Sequence, residues 1–274
     1  MRNKYNVKTL IGEIIVCIIA LLFILPLFFV FTTALKPKDE IFTGVMTLPS
    51  HPEWGNFNAV WKAGVGDSFG NSIIITICSV ALLILIGSMC SYVLARRTGK
   101  LSTALYIMFI IGIIMPFQLS VIPLYVAFQK VGLSGTLLGM IVLWVGVFMP
   151  LTITLYTSFI RQIPKDYEEA ARMDGAGVLR IFFKVLLPLL RPVTGTVAII
   201  TGLFIWNDFF ASVIFLGGSS SQTLPVAVYS FVGQYISRWN LVFAAILVAI
   251  LPFIIFFILT QKQMIRGFAG GMKG

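Results

Sequence analysis

Trp206, Asn207, Asp208, Phe209 and Phe210 follow one another inside a long apolar run, which places an ionisable carboxyl where a hydrocarbon core is expected. A charge at that depth costs on the order of 2.5–3.5 kcal/mol on insertion scales, so Asp208 must face protein or water. Three chemistries fit. Asp208 could serve a proton or sodium relay in an ion-coupled secondary carrier. The cluster could instead shape a solute path, with Trp206 stacked on a sugar ring and Asn207 and Asp208 bonding hydroxyls. Or Asp208 could only pin one subunit to another. In a second apolar run Gln118 follows Met115-Pro116-Phe117, and its amide reads equally as a contact to a hydroxylated solute or as glue between helices.

Catalytic residue patterns are otherwise missing. The one histidine, His51, has no ligand cluster beside it. No GxxxxGK[ST] loop occurs, because Gly99-Lys100 lacks both the upstream glycine and the following hydroxyl. Neither a nucleophile elbow nor a paired-carboxylate site is present. Cys17, Cys78 and Cys90 fall within apolar runs at spacings that suit no metal. The expectation is a chain that is not an enzyme, with no cofactor or metal of its own.

A polar island, 161–191, holds ten of the chain's thirty charged residues. Pro164 suits a first helical turn, Asp166 and Glu169 have the spacing of a capping box, and Glu168 with Arg172 forms an i,i+4 pair. Gly175 after Asp174 suits the left-handed end of that helix. Leu179, Phe182, Phe183, Leu186 and Leu187 then repeat at helical spacing, closed by Pro188 and Pro192. Two short helices joined by a glycine elbow result. Ala170, Ala171, Gly175 and Ala176 leave the elbow bare enough for another protein to approach its backbone. An amphipathic connector lying on lipid headgroups is the other reading.

The elements that must position these groups are membrane helices. The chain has 274 residues, 58% hydrophobic and 11% charged, with a mean hydropathy of +0.99. That composition marks a polytopic all-α membrane bundle. Six runs can each cross a core that takes about 20 residues: 10–34, 71–95, 104–128, 136–159, 193–216 and 241–260. With the N-terminus inside, fifteen Lys and Arg fall on the inner side and five outside, so both termini and the 161–191 loop are expected to be cytoplasmic. This bias explains the net charge of +10 without nucleic acid. Prolines 116, 123, 150 and 252 are expected to bend their spans. The first span contains Glu13 and is too long for a cleaved signal. The outer segment after it, 36–70, reads as an ordered cap on the membrane surface or as a plain connector. A Gly/Ser run at 217–222 opens a second outer loop, a flexible linker or a foothold for an external protein.

Glu169-Ala170-Ala171, Gly175 and Val185-Leu186-Leu187-Pro188 resemble the EAA loop of bacterial ABC-importer permeases, E-A-A-x3-G-x9-I-x-L-P, with Val185 in place of Ile. Asn71-Ser72, Tyr92-Val93-Leu94-Ala95-Arg96, Trp206-Asn207-Asp208 and the end from Gln261 resemble the carbohydrate branch, in the maltose-permease group its smaller, six-span member. The resemblance implies a single permease domain of the type I importer fold, with 161–191 as a cytoplasmic coupling loop and 261–274 as a cytoplasmic tail. It implies ATPase coupling through Glu168, Glu169, Ala170, Ala171, Asp174, Gly175, Ala176 and Pro188. The implied partners are a second permease in a heterodimer, two ATPase subunits carrying ATP and Mg, an extracellular or periplasmic sugar-binding protein, and membrane lipid. The implied location is the bacterial cytoplasmic membrane.

Overall fold

The computed structural model of the chain describes residues 7–42, 47–232 and 238–271, and every regular element among them is helical. In chain order these are α1 (Val7–Ala34), a single 3₁₀ turn (Lys38–Glu40), α2 (Gly55–Val60), a π-turn (Trp61–Val65), α3 (Gly66–Arg96), α4 (Lys100–Ile114), α5 (Phe117–Lys130), α6 (Leu137–Gln162) and α7 (Asp166–Met173). Then come α8 (Val178–Ile181), a second π-turn (Phe182–Leu186), α9 (Leu187–Leu189), α10 (Arg191–Trp206), α11 (Phe210–Phe215), α12 (Leu224–Tyr229) and α13 (Trp239–Gly271). The chain divides into two compact units, Met1–Gly66 with Ala227–Gly274, and Asp67–Val226.

In the first unit α1 is apolar on every side and exposed over most of its length, as a helix must be that meets lipid or another subunit. It packs along α13, where Phe29 meets Phe243 edge-on at 5.1 Å. Its end is fastened by the Glu53 amide, which donates to the Leu35 carbonyl at 2.8 Å, and by one side-chain amide. Buried Asn56 of α2 donates from Nδ2 to the carbonyls of Ala34 at 2.9 Å and Lys36 at 3.0 Å, and its Oδ1 accepts from Asn240 Nδ2 at 2.9 Å. Those carbonyls lie at the C-terminal end of α1, where no intrahelical donor remains. The described part of the segment 36–70 is thus tied to the end of α1 by hydrogen bonds rather than hanging as a free connector.

In the second unit the helices meet through small residues, the way lipid-embedded helices approach when apolar burial alone cannot drive them together. A Cβ placed on Gly87 of α3 would lie 2.5 Å from Thr152 Cγ2 of α6, and one on Gly112 of α4 would lie 3.2 Å from Pro150. Ser91 donates to the Ile153 carbonyl at 3.1 Å, and Tyr156 to Thr194 Oγ1 at 2.8 Å, which ties α6 to both α3 and α10. Two apolar clusters fill the unit. Ile75, Phe128, Met140, Trp144, Ile205 and Phe215 form one; Tyr92, Tyr156, Ile160, Phe182, Leu186 and Leu190 form the other.

The six continuous spans expected from hydropathy are not what the helices provide. Among the described residues, Thr9–Ala34, Gly55–Arg96 and Leu137–Gln162 are each long and apolar enough to cross, and counting two bent pairs as spans brings the number to five. Trp239–Ile255 is a shorter apolar helix. The run 104–128 breaks at Met115-Pro116, where α4 and α5 turn through 101°. Pro116 has no N–H to continue the helix and drives Met115 to an extended ψ of 121°. The run 193–216 ends early too. The segment before it turns by 75° into α10, and α10 stops at Trp206. The tail 261–274 continues α13 as far as Gly271, and its last three residues lie outside the described residues.

Candidate solute cavity and coupling loop

The break after α10 explains how an acid is tolerated here. Asn207 leaves the helix at φ −88°, ψ 3°, and its Nδ2 donates back to the Leu203 carbonyl at 2.8 Å. Asp208 faces the other way. Its Oδ1 accepts from the Ala211 amide at 3.1 Å, and its Oδ2 accepts from the Ser212 amide at 2.8 Å and the Ser212 hydroxyl at 2.9 Å. One residue thus closes the C-terminal end of α10 and the next supplies the missing acceptor for the N-terminal amides of α11. Three donors thus hold the carboxylate in place, and Oδ1, which accepts only one of them, keeps a lone pair for a further partner.

A cavity of about 1000 Å³ opens between the two helix breaks of the second unit. Gln118, Asn207 and Asp208 line it, and Gln118 makes no hydrogen bond among the described residues. The wall is aromatic. Phe117 lies 5.8 Å from Trp144, Trp144 stacks on Phe148 at 5.6 Å, and Phe148 meets Phe204 at 5.8 Å, so rings from α5, α6 and α10 run as one surface. Trp206, expected to stack on a sugar, is not in the lining. It is buried, edge-on to Phe69 at 5.7 Å, and so holds α10 against α3. The ring residues that do face the cavity were missed. A signal for Trp144 existed, because a tryptophan near the middle of a span departs from the usual interfacial placement.

The polar island folds as two helices around a glycine elbow. α7 closes with the Ala176 amide donating to the Ala171 carbonyl at 3.0 Å and the Gly175 amide to Arg172 at 2.9 Å, which is a Schellman end. Gly175 has φ +80°. The capping box is not formed. Asp166 lies inside the first turn, and the residue before it, Lys165, provides no side-chain cap. Nor does Glu168 take its ion pair from Arg172. Its Oε1 accepts from Arg96 Nε at 2.7 Å and its Oε2 from the Tyr92 hydroxyl at 2.7 Å, leaving it 3% exposed.

Glu169, Ala170, Asp174, Gly175 and Pro188 are exposed, with Ala171 and Ala176 half-buried. Beside them Tyr167, Met173, Val178, Leu179 and Phe183 are exposed apolar side chains; Met173 is 89% exposed. Of the second helix's expected apolar face, Phe182 and Leu186 are buried, and Ile181 replaces Leu179 as the inward residue. The π-turn shifts the register, since Leu187 donates to Phe182 rather than to Phe183.

The 217–222 run, read as a linker, is a fixed turn. Gly218 has φ +78°, Ser219 donates to the Leu216 carbonyl at 2.7 Å, and the Gln222 carbonyl accepts from Asn71 Nδ2 at 3.0 Å. The Leu224 amide donates to Ser72 Oγ at 2.8 Å, so Asn71-Ser72 anchors this loop to the start of α3. Residues 233–237 of the same segment lie outside the described residues. Among the described residues no three His, Cys, Asp or Glu side chains gather closely enough to hold a metal ion.

Known proteins resemble this chain over nearly its whole length. It is 40% identical over 275 residues to the melibiose/raffinose/stachyose import permease protein MelC of Bacillus subtilis, covering 99% of this chain and 98% of that protein. The multiple sugar-binding transport system permease protein MsmG of Streptococcus mutans is 32% identical, covering 99% of each. Among solved structures, a chain of a bacterial ABC transporter involved in the import of the acidic polysaccharide alginate superposes with a TM-score of 0.82 at 21% identity, over 94% of this chain and 98% of that one, which establishes the fold. Residues 83–268 match the family described as "Binding-protein-dependent transport system inner membrane component". Family membership replaces the ion-coupled carrier reading of Asp208, and with the two helix breaks and the exposed loop in view, this chain belongs to that family as a non-catalytic, multi-pass permease subunit of an ABC importer.

Proposed function

We propose that the solute is a sugar or oligosaccharide and that the cavity between the two helix breaks is this chain's share of its path. The observation that carries this is the convergence of Gln118, Asn207 and Asp208 on an aromatic wall. Amide and carboxylate groups match sugar hydroxyls, and rings match the apolar face of a pyranose. The relatives named above are sugar permeases by their own descriptions, which favours the same solute class.

The chain works in a complex. A second, different permease completes the path, two ATPase subunits bind ATP and Mg, and an extracellular or periplasmic sugar-binding protein delivers the solute. Six membrane crossings, with the two broken segments among them, put both termini and the 161–191 loop in the cytoplasm of a bacterium. This is the topology of the smaller maltose-type permease. Glu169, Ala170, Ala171, Asp174, Gly175, Ala176 and Pro188, with the exposed Tyr167, Met173 and Leu179, form the face an ATPase grips, and the tail 261–274 reaches towards the same partner. ATP-driven closure of the ATPases pulls this face, the helices rock, and the cavity changes the side on which it opens.

Reconstituted in vesicles with its partners, the complex should take up labelled raffinose only when ATP and the binding protein are supplied, and an ionophore should leave uptake intact. Glu169→Lys should abolish both uptake and ATPase association while the helices still insert. Uptake without any ATPase, collapsing with the ion gradient, overturns the reading.

A further inference from the structure

The inner end of α3 grips the coupling loop through a buried charge. Arg96, the last residue of α3, donates from Nε to Glu168 Oε1 at 2.7 Å and from Nη2 to the Ile163 carbonyl at 3.0 Å. One turn earlier, the Tyr92 hydroxyl donates to Glu168 Oε2 at 2.7 Å. Both oxygens of the Glu168 carboxylate are thus committed to one helix. The two charged side chains are 14% and 5% exposed. Arg172, one turn along α7, lies beside the same Tyr92 hydroxyl, and the Tyr92 ring sits 5.9 Å from Phe182, beyond the glycine elbow. The end of α3 therefore touches both arms of the loop.

α7 also touches the second arm of its own loop, α8 and the π-turn Phe182–Leu186, and its elbow is held by backbone hydrogen bonds. Its buried ion pair, though, is made to α3. A carboxylate held by two charge-assisted or phenolic donors fixes distance and direction together. Removing one partner leaves the other charge buried and uncompensated.

We propose that the Arg96–Glu168–Tyr92 contact is the joint that passes displacement of α7 into α3, making Arg96 and Tyr92 positioning residues for transport. The joint rests on the reading of α7 as the segment an ATPase grips. It predicts that losing the contact uncouples the machine without undocking the motor. Motion of the gripped face then no longer reaches a helix that packs on α6 at Gly87 and on α10 at Gly202.

The test uses the full complex in vesicles and reads solute moved per ATP hydrolysed, together with co-purification of the ATPase. Arg96→Met should lower that ratio about tenfold, and Tyr92→Phe, which removes one hydrogen bond and no charge, by a smaller factor, a range typical of lost coupling between sites. The ATPase should still co-purify with both. Exchanging the charges, Arg96→Glu together with Glu168→Arg, should restore at least half of the ratio. If Arg96→Met destabilises the chain, Tyr92→Phe decides. An unchanged ratio in Tyr92→Phe, or uptake and hydrolysis falling in equal proportion, assigns the contact to folding alone and overturns the joint. Loss of the ATPase from the unaltered complex would instead sink the gripping reading on which the joint stands.

Discussion

Removing the Asp208 carboxylate would take three acceptor contacts from the start of α11, two of them to the amides of the buried residues Ala211 and Ser212. Loss of a cap of this kind costs about 0.5–2 kcal/mol. Asp208→Ala should therefore reduce uptake several-fold while the ATPase still assembles. Asp208→Asn removes the charge and only part of the cap, because it keeps one accepting oxygen and turns an NH2 toward donors that the other oxygen served. Its uptake should fall between those of the unaltered chain and the alanine variant, and uptake as low as that of the alanine variant would show that both accepting oxygens are needed. That Asp208 needs protein or water around it was legible from the chemistry of an acid in an apolar run. What each residue does there was not. The division of labour depends on a helix break invisible to hydropathy, and Trp206 faces Phe69 because the break fixes its rotation. Glu168 was misplaced for a related reason. Its local partner Arg172 is four residues away in sequence, and Arg96, which wins, is 72 away.

Among the elements, glycines decide how closely the helices meet and where they stop. An added Cβ at Gly175 would meet nothing within 4 Å, so crowding is not the constraint; the φ of +80° is. A left-handed conformation costs an ordinary L-residue roughly 1–2 kcal/mol, which re-aims the exposed face of α7. Gly175→Val should lower ATPase co-purification and uptake together, and Gly175→Asn should do so less, since asparagine tolerates that region. At Gly87 the constraint is the reverse, because α6 occupies the space at 2.5 Å. Gly87→Ala should destabilise the second unit by about 1–3 kcal/mol, the range for overpacking, read as an earlier thermal transition in detergent. The apolar runs told where helices lie, and the EAA spacing told where the loop folds. Proline reading gave a bend at Met115-Pro116 but not a 101° break, because a bend and a break carry the same residues and differ only in what the neighbouring helices accept.

At the scale of the whole molecule, the family and fold were readable from hydropathy and one loop motif. The number of uninterrupted crossings was not, since both broken segments keep their apolar composition across the turn. The Asn56 amide has an outcome for how the protein is made. It joins the end of α1 to Asn240, a separation of 184 residues, so the two termini of this contact leave the ribosome far apart in time. Until α13 emerges, the Asn56 carbonyl oxygen has no asparagine donor, so the side-chain amide that helps fasten the end of α1 is completed only when the last helix is made.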